Sequence, residues 1–196
     1  MNLPFNLPMT LTWIRIAAIP LMVVVFLFTP AEFARPAAAW IFGLASLTDF
    51  LDGYLARRWN QQSAFGAFLD PVADKLIVVV ALVLLVYSDG DLPIVIATAV
   101  IIGREVFVSA LREWMAGQGI SAAVKVSSLG KVKTTAQMFA ILFLLYYFPL
   151  FGLIDVYLIG YGLLMIAALL TFISGAQYAR AAITAVGRAE AQAREH

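Results

Sequence analysis

Cysteine is absent from the sequence, and histidine occurs once, as His196, the last of 196 residues. The first absence excludes a disulfide framework and any thiolate metal site. The second leaves no imidazole in the body of the chain for acid–base chemistry or metal ligation. A metal bound here would have to be a hard ion held by oxygen. Charge is scarce as well: 13% of residues are Asp, Glu, Lys or Arg, and the formal net charge is +1. A chain this close to neutral lacks the basic stripe that tracks a phosphate backbone, so no nucleic acid is expected as a partner.

What is present in quantity is apolar surface. Hydrophobic residues make up 63% of the chain and the mean hydropathy is +0.92, the composition of a polytopic membrane protein rather than of a soluble domain. Stretches of spanning length are read at roughly 11–30, 36–57, 67–88, 92–116, 131–150 and 153–178. The expected fold is therefore all-α, with six transmembrane helices joined by short polar turns such as "TPAEFARP" and "SDGDLP". Residues 1–10 read as an interfacial segment, 11–180 as one compact catalytic domain and 181–196 as a cytoplasmic tail. Pro20 is expected to kink the first helix.

Lys and Arg counting orients the six spans. With a cytoplasmic N-terminus, Arg15, Arg57, Arg58, Lys75, Arg104, Arg112, Lys125, Lys131, Lys133, Arg180, Arg188 and Arg194 fall toward the inside, and only Arg35 is left outside. The outer loops carry Glu32, Asp89, Asp91 and Asp155 instead. Both termini are then cytoplasmic.

Against this background the stretch "LTDFLDGYLARRWNQQSAFGAFLDPVADKL" stands out, because it holds Asp49, Asp52, Asp70 and Asp74. The topology makes it the cytoplasmic hairpin between the second and third spans. At about 100° per residue, Asp49, Asp52, Gly53, Ala56 and Arg57 fall within an arc of roughly 140°, and Gly66, Asp70 and Asp74 share one side of the next helix. Four carboxylates brought together repel one another unless a cation or shared protons offset them. Mg²⁺ or Mn²⁺ is the simplest such cation, and these ions commonly share coordination with substrate phosphates. Gly53, Ala56 and Gly66 leave room for a ligand beside the acids, and Arg57 offers a phosphate a permanent cation.

Each residue also has a bland reading. The small residues suit tight helix packing. Asp70 before Pro71 suits an N-cap and first helical position, and Asp49 suits an ion pair with Arg57 or Arg58. One shared cause for four acids is the more economical account.

Written out, the hairpin reads D-x-x-D-G-x-x-A-R, then G-x-x-x-D-x-x-x-D, from Asp49 to Asp74. This pattern resembles the signature of the CDP-alcohol phosphotransferases, with every fixed position present. The resemblance implies a six-helix membrane enzyme, commonly a homodimer, that breaks the pyrophosphate of a CDP-linked lipid, transfers the phosphatidyl group to an alcohol and releases CMP. It implies that Asp49, Asp52, Asp70 and Asp74 ligate two divalent ions, that Asp74 is the general base, and that Asp49, Asp52, Gly53, Ala56, Arg57 and Gly66 form the CDP surface.

Basic residues on later helices bear on the acceptor: Arg104 and Arg112 in "GREVFVSALREWMAGQG", Lys131 and Lys133 in "GKVKTTAQM". They suit an acceptor with its own anion. They equally suit positive-inside anchoring to lipid headgroups, and Arg104 and Arg112 also suit an internal ion pair on a helix that includes Glu105. The same segments, with "LPMTLTWIRI" and "FGAFLDPVADKL", resemble the family's bacterial phosphatidylglycerophosphate synthases. That likeness runs from about Leu7 to Arg180 and implies CDP-diacylglycerol as donor and sn-glycerol 3-phosphate as acceptor, in the bacterial inner membrane. Inositol phosphate, inositol or serine as acceptor, and more distantly a carboxylate-lined ion transporter, are the competing readings.

Overall fold

The computed structural model describes residues 7–59, 64–118 and 129–194, with side chains for 9–48, 68–118 and 133–187. It contains six helices and no strand among the described residues: α1 (Leu7–Phe28), α2 (Ala31–Trp59), α3 (Ala64–Asp89), α4 (Leu92–Gly117), α5 (Leu129–Tyr146) and α6 (Val156–Arg194). Among the described residues, three segments, Met9–Phe28, Leu92–Gly117 and Val156–Gly187, are long and apolar enough to cross a membrane. The chain is an integral membrane protein by composition and helix length.

The helix ends follow local chemistry. α1 begins earlier than the apolar run because Pro8 sits in its first turn, where a missing N–H is no loss. Pro20 lies within α1, which continues past it as α-helix. The Pro30 carbonyl accepts from Phe33 and Ala34 and so opens α2. Gly90, at φ +59°, closes α3 by donating its N–H to Val86, a left-handed position that favours glycine. α5 stops at Tyr146, short of the expected 150, because Tyr147 turns to φ +70° and Pro149 follows. Asp155 Oδ1 accepts from the Leu158 amide at 3.0 Å and caps α6. Past residue 178 the apolar pattern fades, yet Ala, Arg, Gln and Glu keep α6 helical to Arg194. Much of the expected tail is thus a continuation of the last helix.

The packing groups the chain into two compact units, Met1–Gly90 with Met138–Gly162, and Asp91–Gln137 with Leu163–His196. In the first unit α1 packs on α2 and α3, and α2 on α3. Met22, Phe42, Ile77, Leu82, Leu85 and Leu144 are fully buried in its core. Beyond that core, Arg35 donates to Asp89 and, at 2.6 Å, to Ser88, while its guanidinium lies 4.2 Å from the centre of the Tyr147 ring. Tyr157 donates to the other Asp89 oxygen at 3.1 Å. One largely buried arginine thereby ties α2 to the end of α3 and to the α5–α6 turn.

Close approach in this unit depends on Gly160: a Cβ there would meet Phe143 Cβ at 2.9 Å and the backbone of Ala140 and Leu144 at 3.0 Å. A Cβ on Gly162 would meet nothing within 4 Å. Gly160→Ala is therefore expected to lose about 1–3 kcal/mol of stability through overpacking. Gly162→Ala should be neutral or gain up to about 1 kcal/mol from helix propensity. Thermal unfolding of both variants in detergent checks the opposite signs.

Candidate functional site

Asp70 and Asp74 are one turn apart on α3, about 6 Å along its axis and separated by only about 40° around it. Because α3 begins at Ala64, Asp70 and Pro71 lie inside the helix. The N-cap reading of Asp70 is thus excluded, and its carboxylate is directed elsewhere: Thr12 Oγ1 donates to Asp70 Oδ1 at 2.5 Å. One turn along, Arg15 Nη1 donates to Asp74 Oδ1, also at 2.5 Å. The two contacts ascend both helices together, so α1 and α3 run in the same direction. Both therefore start on one side of the bundle, with α2 returning between them.

Burial separates the partners. The Arg15 side chain is 0% exposed and that of Asp74 39%; Thr12 is buried as well. α1 thus supports the acids from behind while Asp74 keeps an open side. A buried guanidinium is strongly unfavourable without a counter-charge, so the pairing stabilises Arg15 and offsets part of the repulsion between the two acids.

Thr12 and Arg15 were not among the candidates read from the sequence. Arg15 was counted as an inside anchor, although an arginine within an apolar span was itself the signal.

Asp49, Asp52, Gly53, Ala56 and Arg57 lie in the last turns of α2, and Gly66 in the first turn of α3. Those two helices pack on each other. The side chains of these six residues, and that of Lys131 in α5, lie outside the described ones. Among the described residues no three His, Cys, Asp or Glu side chains form a metal-sized group. Asp70 and Asp74 are two hard oxygen donors on adjacent turns, a donor chemistry that fits Mg²⁺ or Mn²⁺.

In the second unit, Glu105 Oε1 accepts from Arg104 Nη1 at 2.6 Å and lies 3.5 Å from Lys133 Nζ. The ion pair between Arg104 and Glu105, one of the readings open from sequence, is therefore present. Two cations share one carboxylate, and the cluster retains a positive charge. Lys133 is 4% exposed. Arg104 Nε is buried without a hydrogen-bond partner among the described residues. The Arg104 stem crosses α6 at Gly175, where a Cβ would come within 2.9 Å of its Cγ. A cavity of about 340 Å³ adjoins it, lined by Gly103, Phe107, Phe172 and Ala179 among others. Arg112 stands apart, its guanidinium 5.9 Å from the centre of the Tyr178 ring. Glu105→Gln is expected to lower stability by about 1–3 kcal/mol, since it leaves the buried Lys133 without its counter-charge. Adding Lys133→Met should restore much of that loss, as read from detergent melting curves of the single and double variants.

Comparison with known proteins places the chain in a family. The family model described as CDP-alcohol phosphatidyltransferase matches residues 5–185. Proteins named CDP-diacylglycerol–glycerol-3-phosphate 3-phosphatidyltransferase from Shigella flexneri serotype 5b (strain 8401), Salmonella choleraesuis (strain SC-B67) and Escherichia coli (strain K12) are each 47% identical to the chain over 178 residues. Each match covers 91% of this chain and 95% of the relative. With its acid-bearing hairpin and a match spanning nearly its whole length, the chain belongs to the CDP-alcohol phosphatidyltransferase family.

Proposed function

We propose that the protein transfers the phosphatidyl group of CDP-diacylglycerol to sn-glycerol 3-phosphate, giving phosphatidylglycerophosphate and CMP. The observation that carries this reading is the Asp70–Asp74 pair, braced from α1 and lying within the family's motif. The names of the 47% identical relatives support the donor and the acceptor. Family membership favours transfer over the ion-transport reading.

In this mechanism Asp74 takes the proton of the attacking glycerol hydroxyl as its oxygen bonds to the β-phosphorus, and the bond from that phosphorus to the CMP oxygen breaks. Asp49, Asp52, Asp70 and Asp74 are the side chains that would hold two divalent ions. When bound, Mg²⁺ or Mn²⁺ would supply positive charge to the diphosphate oxygens and to the departing phosphate of CMP. Gly53, Ala56 and Gly66 leave space for the cytidine diphosphate, with Arg57 as a cation for it. The acceptor's phosphate draws on Arg104, Arg112, Lys131 and Lys133. The surplus positive charge of the Arg104–Glu105–Lys133 cluster supports that role for two of them.

All six helices cross the bacterial inner membrane in this reading, with both termini and the carboxylates at the cytoplasmic face and two chains forming a homodimer. The positive-inside distribution of Lys and Arg supports the orientation, and the common direction of α1 and α3 supports the topology.

Purified protein in detergent is expected to release CMP and form phosphatidylglycerophosphate from the two substrates with Mg²⁺, and to stop on chelation. No lipid product with glycerol 3-phosphate, but product with inositol phosphate or serine, would replace the acceptor. Asp74→Asn should lose about 100-fold or more of turnover while keeping much of its CDP-lipid binding; an equal loss of both would make Asp74 chiefly a metal ligand. Lys131→Ala, Arg112→Ala and Gly175→Leu, the last by displacing Arg104, should raise the KM for glycerol 3-phosphate more than that for CDP-diacylglycerol. Unchanged KM values would return these cations to membrane anchoring.

A further inference from the structure

Thr12 and Arg15 lie on α1, outside the motif from Asp49 to Asp74, and yet both have their side chains on its acids. A membrane-anchoring arginine extends toward water and headgroups. Arg15 does the opposite, with its side chain wholly buried behind a carboxylate that is itself 39% exposed.

Resting on the metal reading above, we propose that Arg15, seconded by Thr12, is a positioning residue that sets the Asp70–Asp74 pair for a divalent cation. Two acids on adjacent turns, about 6 Å apart along the axis, repel each other and take up divergent rotamers unless something restrains them. The α1 donors supply that restraint at two successive levels. Thr12 fixes Oδ1 of Asp70 and Arg15 fixes Oδ1 of Asp74, both from one helix, so the spacing of the acids is referred to a single rigid element. The ordering of both carboxylates then precedes ligand binding, and the ion gains the affinity that it would otherwise lose in ordering them. Arginine suits this place better than lysine because its planar fork presents several N–H groups in a fixed geometry, whereas an ammonium is a point charge on a flexible stem.

Mn²⁺ binding to the purified full-length protein in detergent, followed by the EPR signal of free Mn²⁺ without substrates, tests the proposal. Arg15→Met is expected to weaken Mn²⁺ binding about 10-fold or more. The Mn²⁺ concentration for half-maximal turnover should rise in parallel, with the KM for glycerol 3-phosphate unchanged. Arg15→Lys should recover part of the affinity. Thr12→Val, which keeps the volume and removes the hydroxyl, should weaken binding in the same direction by a smaller factor.

Wild-type or tighter Mn²⁺ binding by folded Arg15→Met overturns the proposal, tighter binding because it would make Arg15 a competitor of the ion. If Arg15→Met does not fold, Thr12→Val decides alone: unchanged affinity in that variant overturns it. Failure of the unmutated protein to bind Mn²⁺ would remove the metal reading together with this one. Binding by the unmutated protein that both variants match would remove only the role of α1.

Discussion

A charge removed from water needs a counter-charge, and in this chain the requirement is met by the bond from Arg15 to Asp74. A guanidinium in the interior of an apolar helix pair is strongly unfavourable on its own, and two carboxylates on adjacent turns are unfavourable together. Placing the cation of α1 against one of the acids of α3 relieves both penalties with one contact. Together with the bond from Thr12 to Asp70, this contact favours one rotation of α1 and α3 about their axes, the one at which both bonds are made. Packing of apolar side chains brings these helices together without choosing among rotations. The polar pair makes that choice.

A second polar tie lies roughly 22 Å further along α3, by helical rise from Asp74 to Asp89. There Arg35 of α2, the Asp89 carboxylate, and the Tyr147 and Tyr157 rings converge. Between the two ties small residues such as Ala38 and Ala81 are fully buried. The two sets of polar contacts therefore hold α1, α2 and α3 at separate levels, and close packing fills the space between. For a site made of carboxylates from adjacent turns this rigidity has chemical value, because phosphoryl transfer depends chiefly on positioning and electrostatics.

Much of the fold was legible in sequence because hydrocarbon admits few solutions. Six apolar runs bounded by Gly, Pro and Asp mark six helices, and the observed limits differ from the expected ones mainly at the ends. α5 ends early at a left-handed Tyr147, a backbone feature that hydropathy does not carry. α6 continues through 179–194, where polar helix formers replace apolar ones and the hydropathy signal ends before the helix does. The candidate acids were legible by spacing alone, since Asp70 and Asp74 at four residues apart must share a helix face. The N-cap alternative for Asp70 fails for a local reason: Asp-Pro commonly starts a helix, but here residues from Ala64 onward had already begun it. An ion pair of Glu105 with Arg104 or Arg112 was open from sequence, and packing chose Arg104; the approach of Lys133 from another helix was not legible.

The sequence by itself determined a membrane-embedded, all-helical chain with an oxygen-rich hairpin, because composition, helical periodicity and motif spacing are all local along the chain. The partners of those oxygens were decided only by the tertiary structure. Thr12 and Asp70, like Arg15 and Asp74, are separated by more than fifty residues. No local pattern links them; their meeting depends on the direction, rotation and axial offset at which α1 packs on α3. The same holds for Gly175, whose missing side chain matters only because Arg104 crosses it. A residue's chemistry is written in the sequence, but its partner across a helix interface exists only once the helices have packed.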